Sequence, residues 1–154
     1  MDPITPRLAD ILDPWLSAYA AARTGRRRDR LVAFGPRARA CLDAEVDRIA
    51  TDPELRLIEL EQDAGTHDAA ARTVGADALP TLLILLTTER WLPADRLDRL
   101  AHLQVLGALG TWMSSARGPW WASYCDVLTL LVEVDAVRAR ELPRRGRTSS
   151  HRFG

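Results

Sequence analysis

The chain has 154 residues, with 21 Arg and no Lys balanced by 21 Asp and Glu, and 47% of its residues are hydrophobic. This composition is that of a globular domain long enough to bury about two-thirds of the surface of its unfolded chain. It excludes a disordered chain, a collagen-like fibre and, with two Cys residues, a disulfide scaffold.

The N-terminal part of the sequence predicts an amphipathic helix. Apolar residues recur over residues 8–22 at the spacing of one helical face. Thr5 is a suitable N-cap for this helix, and Gly25 is a residue at which it would end. Because Pro14 interrupts the pattern, we expect the helix to be kinked there or to restart.

Two further helices are predicted beyond the Arg-rich segment 23–30. The second carries Ala38, Cys41, Leu42, Val46 and Ile49 on one face. The residues from Thr51 to Glu54 form a capping-box pattern that begins the third. The apolar residues that follow also fit a short strand, and we expect a helix.

Proline and glycine divide the second half of the chain. A short helix at residues 69–71 is expected to end by Gly75, and Pro80 to begin a mostly buried helix that runs to about Trp91. The next helix follows Pro93.

That helix contains Gly107 and Gly110, which weaken it unless another element packs closely against them. The final helix follows Pro119 and ends near Leu142. We expect it to bury Trp120, Tyr124, Val127, Leu128, Leu131 and Val134.

Together these segments predict an all-α fold, a single-domain bundle of about five to seven helices over residues 1–142. Residues 143–154 lack apolar periodicity and are predicted to be an Arg-rich tail. No apolar run is long enough to cross a membrane, and residues 1–6 lack the features of a signal peptide. We therefore expect a cytoplasmic protein that makes no membrane contact.

The balanced charge is unevenly distributed. Residues 41–98 contain 13 acidic residues and five Arg, whereas residues 138–154 contain six Arg and one Glu. A second basic cluster comprises Arg26, Arg27, Arg28 and Arg30. Such a distribution is neutralised within one fold, neutralised between subunits, or used to present a basic surface to a polyanion.

Few residues are arranged for catalysis or metal binding. Asp98 and His102 are four residues apart and share a helix face, which suits two metal ligands or an oriented base but equally a solvated surface pair. Close-spaced Cys or His pairs, nucleophile loops and phosphate-binding loops are missing. We expect no cofactor and no metal, assign no catalytic residue, and favour a protein that is not an enzyme.

Tryptophan is concentrated in one part of the chain, between Trp91 and Trp121. The adjacent Trp120 and Trp121 would point about 100° apart on a helix, so one of the pair is expected at the surface. Trp91, Trp120 and Trp121 are the candidate anchors of a protein interface. Trp112 and Met113 are candidates for lining an apolar pocket.

Three functions remain open from the sequence. The first is a non-catalytic helical interaction protein, an adaptor, small subunit or regulator of a larger assembly, with a protein partner or a homo-oligomeric state. The second is a nucleic-acid-associated subunit. Its phosphate contacts would be Arg26, Arg27, Arg28, Arg30, Arg144, Arg145 and Arg147. The third is a helical pocket protein for an apolar small molecule.

Overall fold

The computed structural model describes residues 4–115 and 118–141. In those ranges the regular structure is helical, apart from one β-bridge between Arg7 and Gly75. Nine α-helices are present there: α1 (Leu8–Ala21), α2 (Gly25–Val32), α3 (Phe34–Ala44), α4 (Val46–Ile49), α5 (Asp52–Asp63), α6 (Ala69–Thr73), α7 (Leu79–Leu85), α8 (Arg96–Ser114) and α9 (Tyr124–Glu141). A short 3₁₀-helix covers Ala76–Ala78.

The all-α prediction is confirmed. The nine α-helices of the described ranges exceed the predicted five to seven, because α2 was not predicted and the predicted second helix is divided into α3 and α4. The predicted tail, residues 143–154, lies outside the described residues.

Helix α1 begins later than its sequence predicted. Arg7, rather than Thr5, occupies the N-cap position. Pro14 lies inside α1, and the helix continues through it. The helix therefore does not restart at Pro14. Both carboxylate oxygens of the preceding residue, Asp13, accept hydrogen bonds from the guanidinium of Arg39, at 2.8 and 2.7 Å.

The start of α1 is tied to a distant part of the chain. Residues 6–8 and 74–76 are joined by two backbone hydrogen bonds of 2.9 and 2.8 Å. In the same place the N–H of Gly75 donates to Oε2 of Glu54, on α5, at 2.8 Å. The junction therefore connects the N-terminal segment, α5 and the chain leading into α7.

The Arg-rich segment is itself a helix, α2, where the sequence analysis assigned none. Gly25 begins it with a φ of +61°, a conformation in which glycine has no steric penalty. The predicted second helix is divided into α3 and α4 at Glu45. The buried carboxylate of Glu45 is paired with Arg90 at 3.0 Å and with Arg48 at 3.5 Å.

The capping box of α5 is confirmed, and with it the choice of helix over strand. The N–H of Thr51 donates to Oε1 of Glu54 at 2.9 Å, and the N–H of Glu54 donates to the Thr51 hydroxyl at 3.4 Å. Helix α7, in contrast, ends at Leu85 instead of near Trp91. The hydroxyls of Thr87 and Thr88 donate to carbonyls of its last turn, at 2.6 and 2.7 Å, and satisfy them where the helix stops.

Helices α8 and α9 pack closely at the two glycines of α8. A Cβ at Gly107 would lie 2.7 Å from the guanidinium of Arg138, and a Cβ at Gly110 would lie 2.8 Å from Cδ2 of Leu131. Arg138 lies across α8 and donates to the carbonyl of Leu103 at 3.2 Å. The glycines thus have the close-packing role that the sequence analysis required of them.

The hydrophobic core is shared by α7, α8 and α9 with the inner faces of α1 to α3. Its largest fully buried side chains are Leu8, Leu31, Phe34, Leu42, Leu79, Leu82, Leu83, Leu86, Leu103, Leu106, Leu109 and Leu130. In the described ranges, none of the helices combines the length and the apolar character needed to cross a membrane.

Candidate interaction surface

Helix α9 has apolar residues on two different faces. Its inner face consists of the buried residues Val127, Leu130, Val134 and Val137. Its outer face, defined here by Tyr124, Leu128 and Val132, is exposed, by 68%, 42% and 64% respectively. These three positions follow the i, i+4, i+8 spacing, so their side chains form one stripe along the helix.

Trp120, four residues before Tyr124, is 60% exposed. The prediction that Trp120, Tyr124 and Leu128 are buried is therefore wrong. The buried stripe of valines and Leu130 lies on another side of the helix. Val132 was missed because the sequence analysis assigned a single apolar face to α9. The available signal was a second i, i+4, i+8 series on the same helix.

Smaller side chains extend the outer face toward the C-terminal end of α9. Ala136 and Ala139 are exposed beyond Val132, and Cys125 is exposed beside Tyr124. Charged side chains lie along one edge of the face. This acidic–basic edge, as it is called below, consists of Asp126, Glu133 and Arg140, which are exposed and recur every seven residues.

Of the two adjacent tryptophans, Trp120 is exposed and Trp121 is buried. Trp121 is 8% exposed, and its ring meets that of Trp112 edge-on at 6.1 Å between centroids. One of the two was expected at the surface, and the structure gives that position to Trp120. Trp121 is part of the core and does not offer a surface anchor.

Trp91, the third predicted anchor, is half-buried in the connection between α7 and α8. The guanidinium of Arg90 covers its ring at 5.2 Å from the centroid, in cation–π geometry. Arg90 also pairs with the buried carboxylate of Glu45 at 3.0 Å. Trp91 is therefore already engaged by a neighbouring side chain.

The two pocket candidates lie in packed surroundings. Met113 is buried, and Trp112 is half-buried against Trp121. Four clefts in the described part of the chain are lined by other residues. The most enclosed of them, between α1 and α3, holds about 10 Å³, which is the space of a single water molecule.

The basic cluster does not form one surface. Arg26, Arg27 and Arg28 are exposed, but they are consecutive on α2 and point about 100° apart from one another. Arg30 is paired with Asp98 at 3.6 Å. Arg144, Arg145 and Arg147 lie outside the described residues.

Asp98 and His102 do not form the surface pair that their spacing suggested. His102 is fully buried, with Nε2 2.8 Å from the carbonyl of Leu86 and Nδ1 3.0 Å from Arg37. Burial, together with the nearby charges of Arg37 and Arg99, lowers its pKa to about 4, although the bond to Leu86 opposes the shift. The imidazole is neutral near pH 7 and connects three segments of the core.

The cysteines are free thiols in different surroundings. Cys41 is fully buried, and burial followed by the carboxylate of Glu45 raises the pKa of its thiol to about 12. Cys125 is exposed. Within residues 4–115 and 118–141, no three His, Cys, Asp or Glu side chains are grouped so as to hold a metal ion.

Comparison of the chain with protein-family models, with curated proteins and with solved structures finds no match to any of them.

Proposed function

We propose that this protein is a non-catalytic helical interaction protein of the cytoplasm, an adaptor, subunit or regulator, and that it binds its protein partner through the outer face of α9. The observation that carries the proposal is the concentration of exposed apolar side chains there. Of the ten large hydrophobic residues well exposed in the described ranges, three form this face, and a fourth, Trp120, precedes it by four residues in the sequence.

Single exposed hydrophobic residues are normal on protein surfaces, whereas an apolar stripe with aromatic residues is typical of an interaction site. Full burial of an exposed side chain of this size contributes about 1.5–3 kcal/mol, and these residues, already partly buried, would contribute a fraction of that each. Tryptophan and tyrosine are also the residue types enriched among those that dominate binding energy. The other exposed pairs, Leu57 with Leu60 and Leu97 with Leu100, have no aromatic member.

The shape of the face favours a helical partner. Tyr124, Leu128 and Val132 form a narrow ridge on a helix of 18 residues, the geometry by which helices pack against helices. The acidic–basic edge beside the ridge supplies both signs of charge, which would fix the orientation of the partner rather than add much affinity.

Phosphate binding by Arg26, Arg27 and Arg28 is the second candidate. These guanidinium groups have no ion-pair partner in the part of the chain that the structure describes. Since they diverge around α2, we place this function below the first. It predicts binding that weakens steeply as salt is raised.

The test is affinity capture with a pair of matched variants. Leu128→Arg/Val132→Arg changes the outer face of α9, and Leu57→Arg/Leu60→Arg places the same charges on the exposed face of α5. We expect a stoichiometric companion, another identified protein or a second copy of the chain, to bind the wild type and the α5 variant and to be lost from the α9 variant. Rebinding must be reproduced with the purified companion.

Equal capture by all three proteins would overturn the proposal, and so would the absence of any stoichiometric companion. Nucleic acid that co-purifies with all three and is lost at high salt would instead support the second candidate.

A further inference from the structure

We infer that the partner of the outer face of α9 is a second copy of this chain, with the two α9 helices antiparallel about a two-fold axis near Val132. The inference rests on the proposed function, because it names the occupant of the same face. Its support is that the face is complementary to itself when one copy is reversed, both in side-chain size and in charge.

Side-chain size decreases along the outer face. The large side chains Tyr124 and Leu128 precede Val132, and the small ones, Ala136 and Ala139, follow it. A parallel pair would place large against large and leave gaps at the other end. An antiparallel pair centred on Val132 places Leu128 opposite Ala136 of the second copy, so that the ridge of one helix fills the shallow part of the other.

The same arrangement pairs the charges of the acidic–basic edge. Asp126 and Arg140 lie on one side of α9 but 14 residues apart, about 21 Å along the helix, so they cannot meet within one chain. Neither has an ion-pair partner within the described ranges. With the two-fold axis between residues 132 and 133, each Asp126 lies one residue, about 1.5 Å along the helix, from the position opposite an Arg140 of the second copy, an offset that the two side chains can span, and symmetry makes the contact twice.

Glu133 is the exception to this pairing of opposite charges, because it lies at the middle of the acidic–basic edge and faces Glu133 of the second copy across the axis. Helix α9 is about 27 Å long, and a contact one helix wide is at the low end of interface sizes. We therefore expect a reversible dimer with a dissociation constant on the order of micromolar, best observed at about 100 μM protein.

Disulfide mapping with the full chain tests the direction and register. In a Cys125→Ala background, Val132→Cys is expected to form a covalent dimer on mild oxidation, because both copies of this position lie at the axis. The wild type is expected not to cross-link through Cys125 with itself, since those two thiols would be about 21 Å apart. Ala139→Cys in the wild-type background should restore cross-linking, through Cys125 of the other copy.

Sedimentation velocity tests the charges. At low salt, Asp126→Arg alone or Arg140→Glu alone should weaken the dimer by about three- to tenfold, and the double exchange should restore it. Glu133→Gln should strengthen it. Leu128→Arg should give a monomer, and the α5 variant Leu57→Arg/Leu60→Arg should sediment like the wild type.

Three results would overturn the inference: a monomeric wild type at about 100 μM, a dimer that Leu128→Arg leaves intact, or efficient cross-linking through Cys125 alone, which indicates parallel helices. A monomer whose α9 face still binds a different identified protein would overturn the second copy as partner and leave the proposed function standing. A wild type that neither dimerises nor binds another protein through this face would overturn both the inference and the proposed function.

Discussion

Nδ1 of His102, on α8, lies 3.0 Å from a guanidinium nitrogen of Arg37, on α3. Arginine only donates hydrogen bonds, so this ring nitrogen accepts, and Nε2 must carry the proton that it donates to the carbonyl of Leu86 at 2.8 Å. The contact thus selects the neutral imidazole with its proton on Nε2. Protonation would place a second cation against Arg37 in a buried site.

This arrangement predicts that the protein loses stability in mild acid. The folded-state pKa of His102 is lowered from 6.5 to about 4. The stability that depends on its neutral imidazole is therefore fully present above about pH 6.5 and is lost as the pH falls toward 4. From these pKa values, the free energy of unfolding should fall by about 2 kcal/mol between pH 7.5 and pH 5. Urea denaturation at the two pH values measures it.

The control is His102→Gln, which removes the titrating group and keeps an amide that can donate to Leu86 and accept from Arg37. We expect this variant to be less stable than the wild type at pH 7.5 and to show a much smaller difference between the two pH values. An undiminished difference would assign the acid sensitivity to other groups.

The two glycines of α8 should respond differently to replacement by alanine. At Gly107 the obstruction is the flexible end of Arg138, which can move away, and alanine contributes up to about 1 kcal/mol of helix propensity. At Gly110 the methyl meets Leu131 close to its branch point, and overpacking costs about 1–3 kcal/mol. Thermal denaturation should therefore show Gly107→Ala close to the wild type and Gly110→Ala less stable. The reverse order would contradict the α8–α9 packing.

The junction at Glu54 predicts that its side chain contributes more than an ordinary cap. Thr51→Ala removes one partner of the capping box and should cost about 1 kcal/mol. Glu54→Ala removes the acceptor of Thr51 and also that of Gly75, and should cost about 2 kcal/mol. Chemical denaturation of both variants measures the difference. Equal losses would show that the bond to Gly75 adds nothing.

The cysteines should be separable by their reactivity. In dilute native protein, a thiol reagent should modify one thiol per chain, Cys125, because Cys41 is buried and its pKa is raised to about 12. In denaturant both should react. Cys125→Ala is the control, and rapid modification of that variant in its native state would contradict the burial of Cys41.

Much of the fold could be predicted from periodicity and capping. The capping box at Thr51 and the glycines of α8 have local patterns with one physical interpretation each, and the structure bears them out. The end of α7 could not be predicted in the same way. Its apolar residues continue to Leu86, and two threonine hydroxyls, rather than a proline or glycine, accompany the end of the helix.

The candidate surface was only partly accessible from the sequence. Helix spacing predicted that one of Trp120 and Trp121 is exposed, and one is, although both residues lie in a turn before α9. Which of them is exposed depends on the contact between Trp121 and Trp112. Similarly, the spacing of Asp98 and His102 places them on one side of a helix without revealing that His102 lies under Arg37. In both cases the burial of the side chain depends on a contact with a distant segment of the chain, which the local sequence does not reveal.

The hydrogen bonds between residues 6–8 and 74–76 also set an order of events during synthesis of the chain. The residues that begin α1 leave the ribosome first, yet the partners of their backbone are made roughly 70 residues later. At about 5–20 residues per second, the N-terminal segment waits several seconds or longer for them. Throughout that interval α1 can pack only against α2 and α3, because its contacts with α6 and with the 3₁₀-helix at Ala76–Ala78 depend on residues that have not yet been made.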